Sequence, residues 1–186
     1  MIRLAIFASG EGTNAQSFID YFKSSKEVVI SLIVSGNSSA KVLERAANAG
    51  ISSVVIDKDS FYNSNKVVDL IREKADFIVL AGFMWIIPEN IIKAFPNKIV
   101  NIHPALLPKY GGKGMYGNKV HEAVIANHEK NSGITIHYVN EKYDEGKIIF
   151  QKECEVLTND SPLTLAARVH ELEHKYYPIA VEKMLM

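Results

Sequence analysis

Asn101 and His103 are the two residues of this chain whose types and spacing are best suited to chemistry. They sit in Asn101-Ile102-His103-Pro104-Ala105-Leu106-Leu107-Pro108, directly after the apolar run Lys98-Ile99-Val100. Two residues apart on a strand, an amide and an imidazole share one face. Pro104 has no N–H for a ladder and ends the strand, and Pro108 stiffens the loop that follows. A hydrogen-bond donor beside a titratable imidazole at the carboxyl end of a strand is equipment for stabilising a developing oxyanion. The same pattern also fits a polar strand end with a capped turn, and locally both readings stand.

A second candidate is the turn Ser9-Gly10-Glu11-Gly12-Thr13-Asn14-Ala15. Glycines permit a tight strand-to-helix turn, and the free N–H groups at a helix start attract an anion. Gly10, Gly12 and Ala15 satisfy the spacing of a dinucleotide fingerprint. That fingerprint also needs a carboxylate at the end of the second strand, where this chain has Val34-Ser35-Gly36-Asn37. A single phosphate group is therefore favoured over NAD, with a ligand-free turn as the alternative.

His170-Glu171-Leu172-Glu173-His174 matches the spacing of a zinc hydrolase motif. Helical geometry argues against a metal. Leu165, Val169, Leu172 and Tyr176 form the apolar stripe, Glu173 borders it, and His170 and His174 turn towards a polar flank. Glu173 is the more interesting residue, because a carboxylate at the edge of a buried face can reach into a cleft. His121 and His128 fall on an expected helix Asn118–Asn127, with surface exposure as the default. His137 falls in an expected strand and reads as a packed or surface residue.

These groups must be positioned by regular elements. Short apolar runs predict strands at Arg3–Ala8, Val28–Val34, Ser53–Ile56, Phe77–Leu80 and Lys98–Ile102. Helical patterns occupy Asn14–Phe22, Lys41–Ala49, Phe61–Glu73 and Glu89–Ala94. Continuous Ile/Val/Leu strands alternating with helices predict an α/β fold, a doubly wound and mostly parallel sheet with right-handed crossovers. After residue 130 the rhythm changes. Gly133–Val139 and Lys147–Val156 predict an added antiparallel or mixed pair, joined by Asn140–Gly146. A last helix runs from Pro162 to about Met184, capped by Ser161 or Asp160.

The 186 residues are 47% apolar, enough for one well-cored domain without a linker. Lys plus Arg and Asp plus Glu both number 21, so no basic face marks a nucleic-acid partner. The single Cys154 excludes an internal disulfide and fits a reducing compartment. The first apolar run breaks at Ser9-Gly10, too short to span a membrane and better read as a buried strand. A cytoplasmic protein with no membrane partner is expected.

Four segments occur in a telling order: the Gly10–Asn14 turn, Leu80-Ala81-Gly82-Phe83-Met84, the Asn101–Pro108 segment, and Tyr143-Asp144-Glu145-Gly146. Together they resemble the phosphoribosylglycinamide formyltransferase family, folate-dependent enzymes of purine synthesis. The resemblance covers nearly the whole chain, with Asn-x-His-Pro-x-Leu-Leu-Pro as its most specific motif. It implies a formyltransferase domain over 1–186, with a phosphate-binding half at 1–100 and a catalytic and folate-binding half at 101–186.

It further implies that Gly12, Thr13 and Asn14 cradle the ribonucleotide's phosphate, with Glu173 on its ribose or glycinamide end and His170 nearby. Phe83, Met84, Trp85, Ile86 and Ile87, with Asn101, Val139 and Asn140, would hold the folate. Asn101, His103 and Asp144 would be the catalytic trio, Asp144 raising the His103 pKa. The implied co-substrate is 10-formyltetrahydrofolate, with no metal, small-molecule substrates only, and a monomer or weak homodimer. Trp85 stands where an arginine is common in the family, and the usual folate-contacting arginine has no match around Asn63–Lys66.

Two other readings remain at this level. One is a 10-formyltetrahydrofolate hydrolase, or a formyltransferase for another amine. The other is a non-catalytic phosphate- or nucleotide-binding module. Loss of 10-formyltetrahydrofolate with and without the ribonucleotide separates all three.

Overall fold

The computed structural model describes residues 1–186. Seven strands form one sheet in the order β3-β2-β1-β4-β5-β6-β7. The chain divides into two compact units, Met1–Val100 and Asn101–Met186.

In the first unit, β1 (Ile2–Phe7) pairs in parallel with β2 (Val28–Ser35) and β4 (Phe77–Leu80), and β2 pairs in parallel with β3 (Ser53–Val55). Leu4, Ala5, Ile6 and Phe7 are all fully buried, so the run is apolar on both faces rather than alternating. Helices α1 (Thr13–Phe22) and α2 (Val42–Asn48) pack on β2, and α4 (Lys66–Lys74) packs on β1.

The single helix expected over Phe61–Glu73 is two. The helix α3 (Lys58–Tyr62) precedes α4 and starts earlier than expected, because Asp57 caps it by accepting the Ser60 N–H at 2.8 Å. The break falls at Asn63-Ser64-Asn65. There Asn63 Nδ2 bonds Asp59 Oδ1, and Ser64 Oγ donates to the Ser60 carbonyl and accepts the Lys66 N–H. Such short polar side chains compete with the helical ladder for backbone groups. A short α5 (Glu89–Ala94) completes the unit's helices.

Strand β5 (Ile99–His103) reaches one residue further than expected, so His103 is itself the last strand residue before Pro104. In the second unit, α6 (Asn118–Ala126) leads to β6 (Asn131–Tyr138), which pairs antiparallel with β7 (Ile148–Glu155). The final helix α7 (Pro162–Leu185) packs against α6, β6 and β7. Ser161 caps it in a reciprocal capping box with Thr164.

Two expectations about side chains in this unit are corrected. The buried stripe of α7 runs through Val169, Glu173 and Tyr177, while Leu172 and Tyr176 are only half-buried. Glu173 therefore lies at the centre of the buried face, not at its border. His121 is 2% exposed rather than on the surface, since α7 covers α6. No helix is long and apolar enough to cross a membrane.

Candidate active site

The second unit brings Asn101, His103, His137 and Asp144 into one cluster. His103 Nδ1 lies 3.6 Å from Asp144 Oδ2, and His137 Nε2 lies 3.6 Å from Asp144 Oδ1. The Asn101 amide nitrogen is 3.2 Å from His137 Nε2. His103 is 4% exposed.

Backbone carbonyls define which ring nitrogens carry protons, because a carbonyl only accepts. His103 Nε2 sits 2.7 Å from the Tyr110 oxygen and so donates to it, leaving Nδ1 towards Asp144. His137 Nδ1 donates to the Tyr138 oxygen at 2.9 Å, so its Nε2 accepts from Asn101. Asn101 is thereby oriented with a second amide hydrogen to spare.

The loop that carries Asp144 is shaped by its base. Tyr138 N–H donates to the Lys147 oxygen at 2.9 Å, closing the turn between β6 and β7. A Cβ at Gly146 would stand 1.6 Å from the Tyr138 oxygen, so only glycine fits there. Asp144 itself is left-handed (φ 54°), and its Oδ2 accepts the Gly112 N–H at 2.9 Å. On the strand side, the loop after His103 is fastened by buried Thr135. Its hydroxyl donates to the Ala105 oxygen (2.6 Å) and accepts from Leu107 N–H (3.0 Å) and the Gln151 amide (2.8 Å). The Leu107-Pro108 peptide in this loop is cis.

Charge follows from this packing. Burial pushes the His103 pKa below its ordinary value, against the opposing pull of Asp144 and of the Tyr110 carbonyl. Asp144 acts in the expected direction and raises it, but desolvation outweighs the carboxylate, so the net shift is downward. Burial pushes the Asp144 carboxyl up, yet nearby His137, the Gly112 hydrogen bond and His103 hold it below the usual range on balance. The resting pair at neutral pH is a neutral imidazole facing a carboxylate.

On α7, His170 Nδ1 donates to Glu173 Oε2 at 2.9 Å, and this bond raises the His170 pKa. The rings of His170 and His174 stack with centroids 6.2 Å apart. No group of three or more His, Cys, Asp or Glu is placed to hold a metal ion.

In the first unit, Gly12 is the N-cap of α1 in the left-handed region (φ 70°), and no acidic residue sits in the helix's first turn. A Cβ there would lie 2.6 Å from the Val42 Cβ. The turn is held against α2 by Val42 N–H to the Gly10 oxygen (3.2 Å) and Arg45 Nε to the Glu11 oxygen (2.7 Å). The backbone N–H groups in the first turn of α1 lie at the positive end of the helix dipole. They form an anion-seeking end.

Phe83 and Trp85 belong to an aromatic group with Phe7 and Phe61, with centroids 5.1 to 5.8 Å apart. Trp85 turns inward over Gly36 and Ile87 is buried, whereas Met84 and Ile86 are 56% and 49% exposed. The Met84 N–H donates to Ser9 Oγ at 3.0 Å, tying this segment to the glycine turn. Val139 and Asn140 lie half-buried in the loop after β6, where Asn140 Oδ1 accepts the Lys142 N–H.

Sequence reasoning missed His137, Thr135, Tyr110 and Gly112. For the first two a signal existed. Thr135 and His137 are polar residues at alternate positions of a strand otherwise built from Ile134 and Ile136, so they share a face.

A doubly wound sheet with an amide, an imidazole and a carboxylate clustered beyond the end of β5 has the layout of a group-transfer enzyme on an α/β scaffold. A model of the formyl transferase family matches residues 2–181, and the chain belongs to that family. It is 35% identical over 191 residues to the phosphoribosylglycinamide formyltransferase of Bacillus subtilis, covering all of this chain and 95% of that one. It is 41% identical over 182 residues to the chloroplastic phosphoribosylglycinamide formyltransferase of Arabidopsis thaliana, covering 94% of this chain. The chain spans 62% of that plant protein's length. The crystal structure of glycinamide ribonucleotide transformylase 1 from Geobacillus kaustophilus is similar with a TM-score of 0.90 at 33% identity, over the full length of both chains.

Proposed function

We propose that this protein transfers the formyl group of 10-formyltetrahydrofolate to the amine of 5'-phosphoribosylglycinamide, a step of purine synthesis. The observation that carries the reading is the His103–Asp144 pair at 3.6 Å, with Asn101 oriented beside it, in a formyl transferase chain. The glycinamide amine attacks the formyl carbon, and the carbonyl electrons move onto oxygen. Asn101 donates its spare amide hydrogen to that oxyanion.

His103 Nδ1 takes the proton from the attacking nitrogen, and Asp144 stabilises the imidazolium that forms. As the oxyanion collapses, the bond to the folate N10 breaks and N10 receives the proton from His103. The products are the formylated amide and tetrahydrofolate. A neutral resting imidazole suits this sequence, because it begins as a base and ends as an acid.

For the substrates, Gly12, Thr13 and Asn14 hold the ribonucleotide phosphate at the start of α1. Glu173, with His170, takes the ribose or glycinamide end. Phe83, Met84, Trp85, Ile86 and Ile87, together with Asn101, Val139 and Asn140, bind the folate. The first half of the chain is then the phosphate-binding part, and the second half the catalytic and folate-binding part. Cytoplasmic residence, a monomeric or weakly dimeric state and small-molecule partners alone complete the reading, in keeping with balanced charge and a free Cys154.

The test is spectrophotometric loss of 10-formyltetrahydrofolate. Turnover that requires the ribonucleotide supports the proposal. Loss without it makes the protein a hydrolase, and no loss in either case makes it a binding module.

A further inference from the structure

Tyr110 stands at a point that neither its sequence neighbours nor the trio itself explains. It is left-handed (φ 58°), a region that non-glycine residues rarely occupy. Its backbone carbonyl accepts the His103 Nε2 proton, and two residues later the Gly112 N–H grips Asp144 Oδ2. One tripeptide therefore holds both members of the pair.

The tripeptide is itself anchored. The Tyr110 hydroxyl donates to Glu129 Oε1 at 2.9 Å, and Lys109 Nζ donates to the same oxygen at 2.8 Å. Those two donors hold the Glu129 carboxyl below its usual range, so the acceptor stays charged. Glu129 is in turn fixed to α6, its N–H donating to the Val124 oxygen.

We propose that Tyr110 and Glu129 are positioning residues that set the tautomer and orientation of His103 and the placement of Asp144 together. The proposal rests on the catalytic reading for its kinetic consequence, not for its structural one. Without the hydroxyl anchor, Tyr110 relaxes out of the left-handed region. Its carbonyl then swings away from the ring, and either imidazole nitrogen can carry the proton.

The groups facing His103 are Asp144 from the loop after β6, His137 on β6, His121 on α6 and Glu173 on α7. A change at Tyr110 or Glu129 substitutes none of them, and only Asp144 is tied to the altered tripeptide, through the Gly112 N–H. The Tyr110 carbonyl favours the charged ring, so its loss moves proton uptake to lower pH.

The experiment is an NMR titration of nitrogen-15-histidine-labelled full-length protein without substrates, alongside steady-state kinetics and thermal melting. In Y110F the Nε2–H tautomer of His103 gives way to a mixture, and its midpoint moves down. The kcat falls by about tenfold to a hundredfold while both KM values stay close to those of the parent protein. E129A behaves the same way, and reports on the same anchor should Y110F not fold. E129Q, which keeps an acceptor for the hydroxyl, restores most of the parent behaviour.

A His103 spectrum unchanged in Y110F and E129A overturns the inference, as does a lowered melting temperature with no change in tautomer. If the tautomer shifts but the parent protein transfers no formyl group, the positioning stands and the catalytic reading falls.

Discussion

Asp144 lies against two imidazoles at once, with His103 Nδ1 and His137 Nε2 each 3.6 Å from one of its oxygens. The carboxylate therefore stands where a proton arriving on either ring meets a negative charge. Replacing it by its amide keeps the shape and removes the charge. D144N is expected to lower kcat by about a hundredfold to ten-thousandfold, the usual range for a general acid–base element, with little change in KM. H103A should fall as far while still binding the ribonucleotide. Steady-state kinetics and calorimetric titration check both.

Stability should fall as the solution is acidified below neutrality. His103 and His121 both have folded-state pKa values pushed below 6.5, each chiefly by burial. Below that value the unfolded chain takes up these two protons before the folded chain does, so stability is lost as pH falls. His170 works the other way, since Glu173 raises its pKa. Its contribution is complete below 6.5 and disappears as pH rises through the folded value. Melting temperatures between pH 5 and 8 should decline on the acid side, less steeply in H121L and more steeply in H170A.

Thr135 is the buried rivet of the loop that follows His103. T135V keeps the volume but leaves the Leu107 N–H and the Gln151 amide without their common acceptor. The loss is expected to be about 1–3 kcal/mol of stability, read as a lower midpoint in urea with an unchanged slope.

A methyl group at Gly146 meets the Tyr138 oxygen directly. G146A should open the base of the loop between β6 and β7 at a cost of about 1–3 kcal/mol. Because that loop carries Asp144, kcat should fall more than the stability loss accounts for. Urea denaturation and kinetics on the same preparation separate the two effects.

Much of the scaffold was legible in the chain. Runs such as Leu4-Ala5-Ile6-Phe7 and Ile33-Val34 declared strands buried on both faces, and their alternation with helical patterns implied parallel pairing. The motif around Asn101 and His103 was also legible, since a period of two places both on one side of a strand. What escaped depended on distant neighbours. His121 is buried only because α7 lies over α6, and no local pattern announces that cover. Glu173 reads as a border residue while Leu172 and Tyr176 are taken for the stripe. Its true place is set by how α7 is rotated on β6 and β7. The net shift of His103 escaped for the same reason: a carboxylate partner is visible as a motif, but the depth of burial that outweighs it is not. The break at Asn63-Ser64-Asn65 was a local matter, decided by side-chain hydrogen bonds that a hydrophobic period ignores.

The turn ahead of α1 takes its shape from Val42, whose side chain comes too near Gly12 to admit even a methyl group there. The aperture offered to an anion is thus gauged by a residue on the next helix that need never touch the ligand. If the turn holds the phosphate as proposed, trimming Val42 would slacken that aperture and a larger side chain there would pinch it, so affinity for a phosphorylated substrate becomes adjustable from behind the turn while the turn's own residues stay as they are.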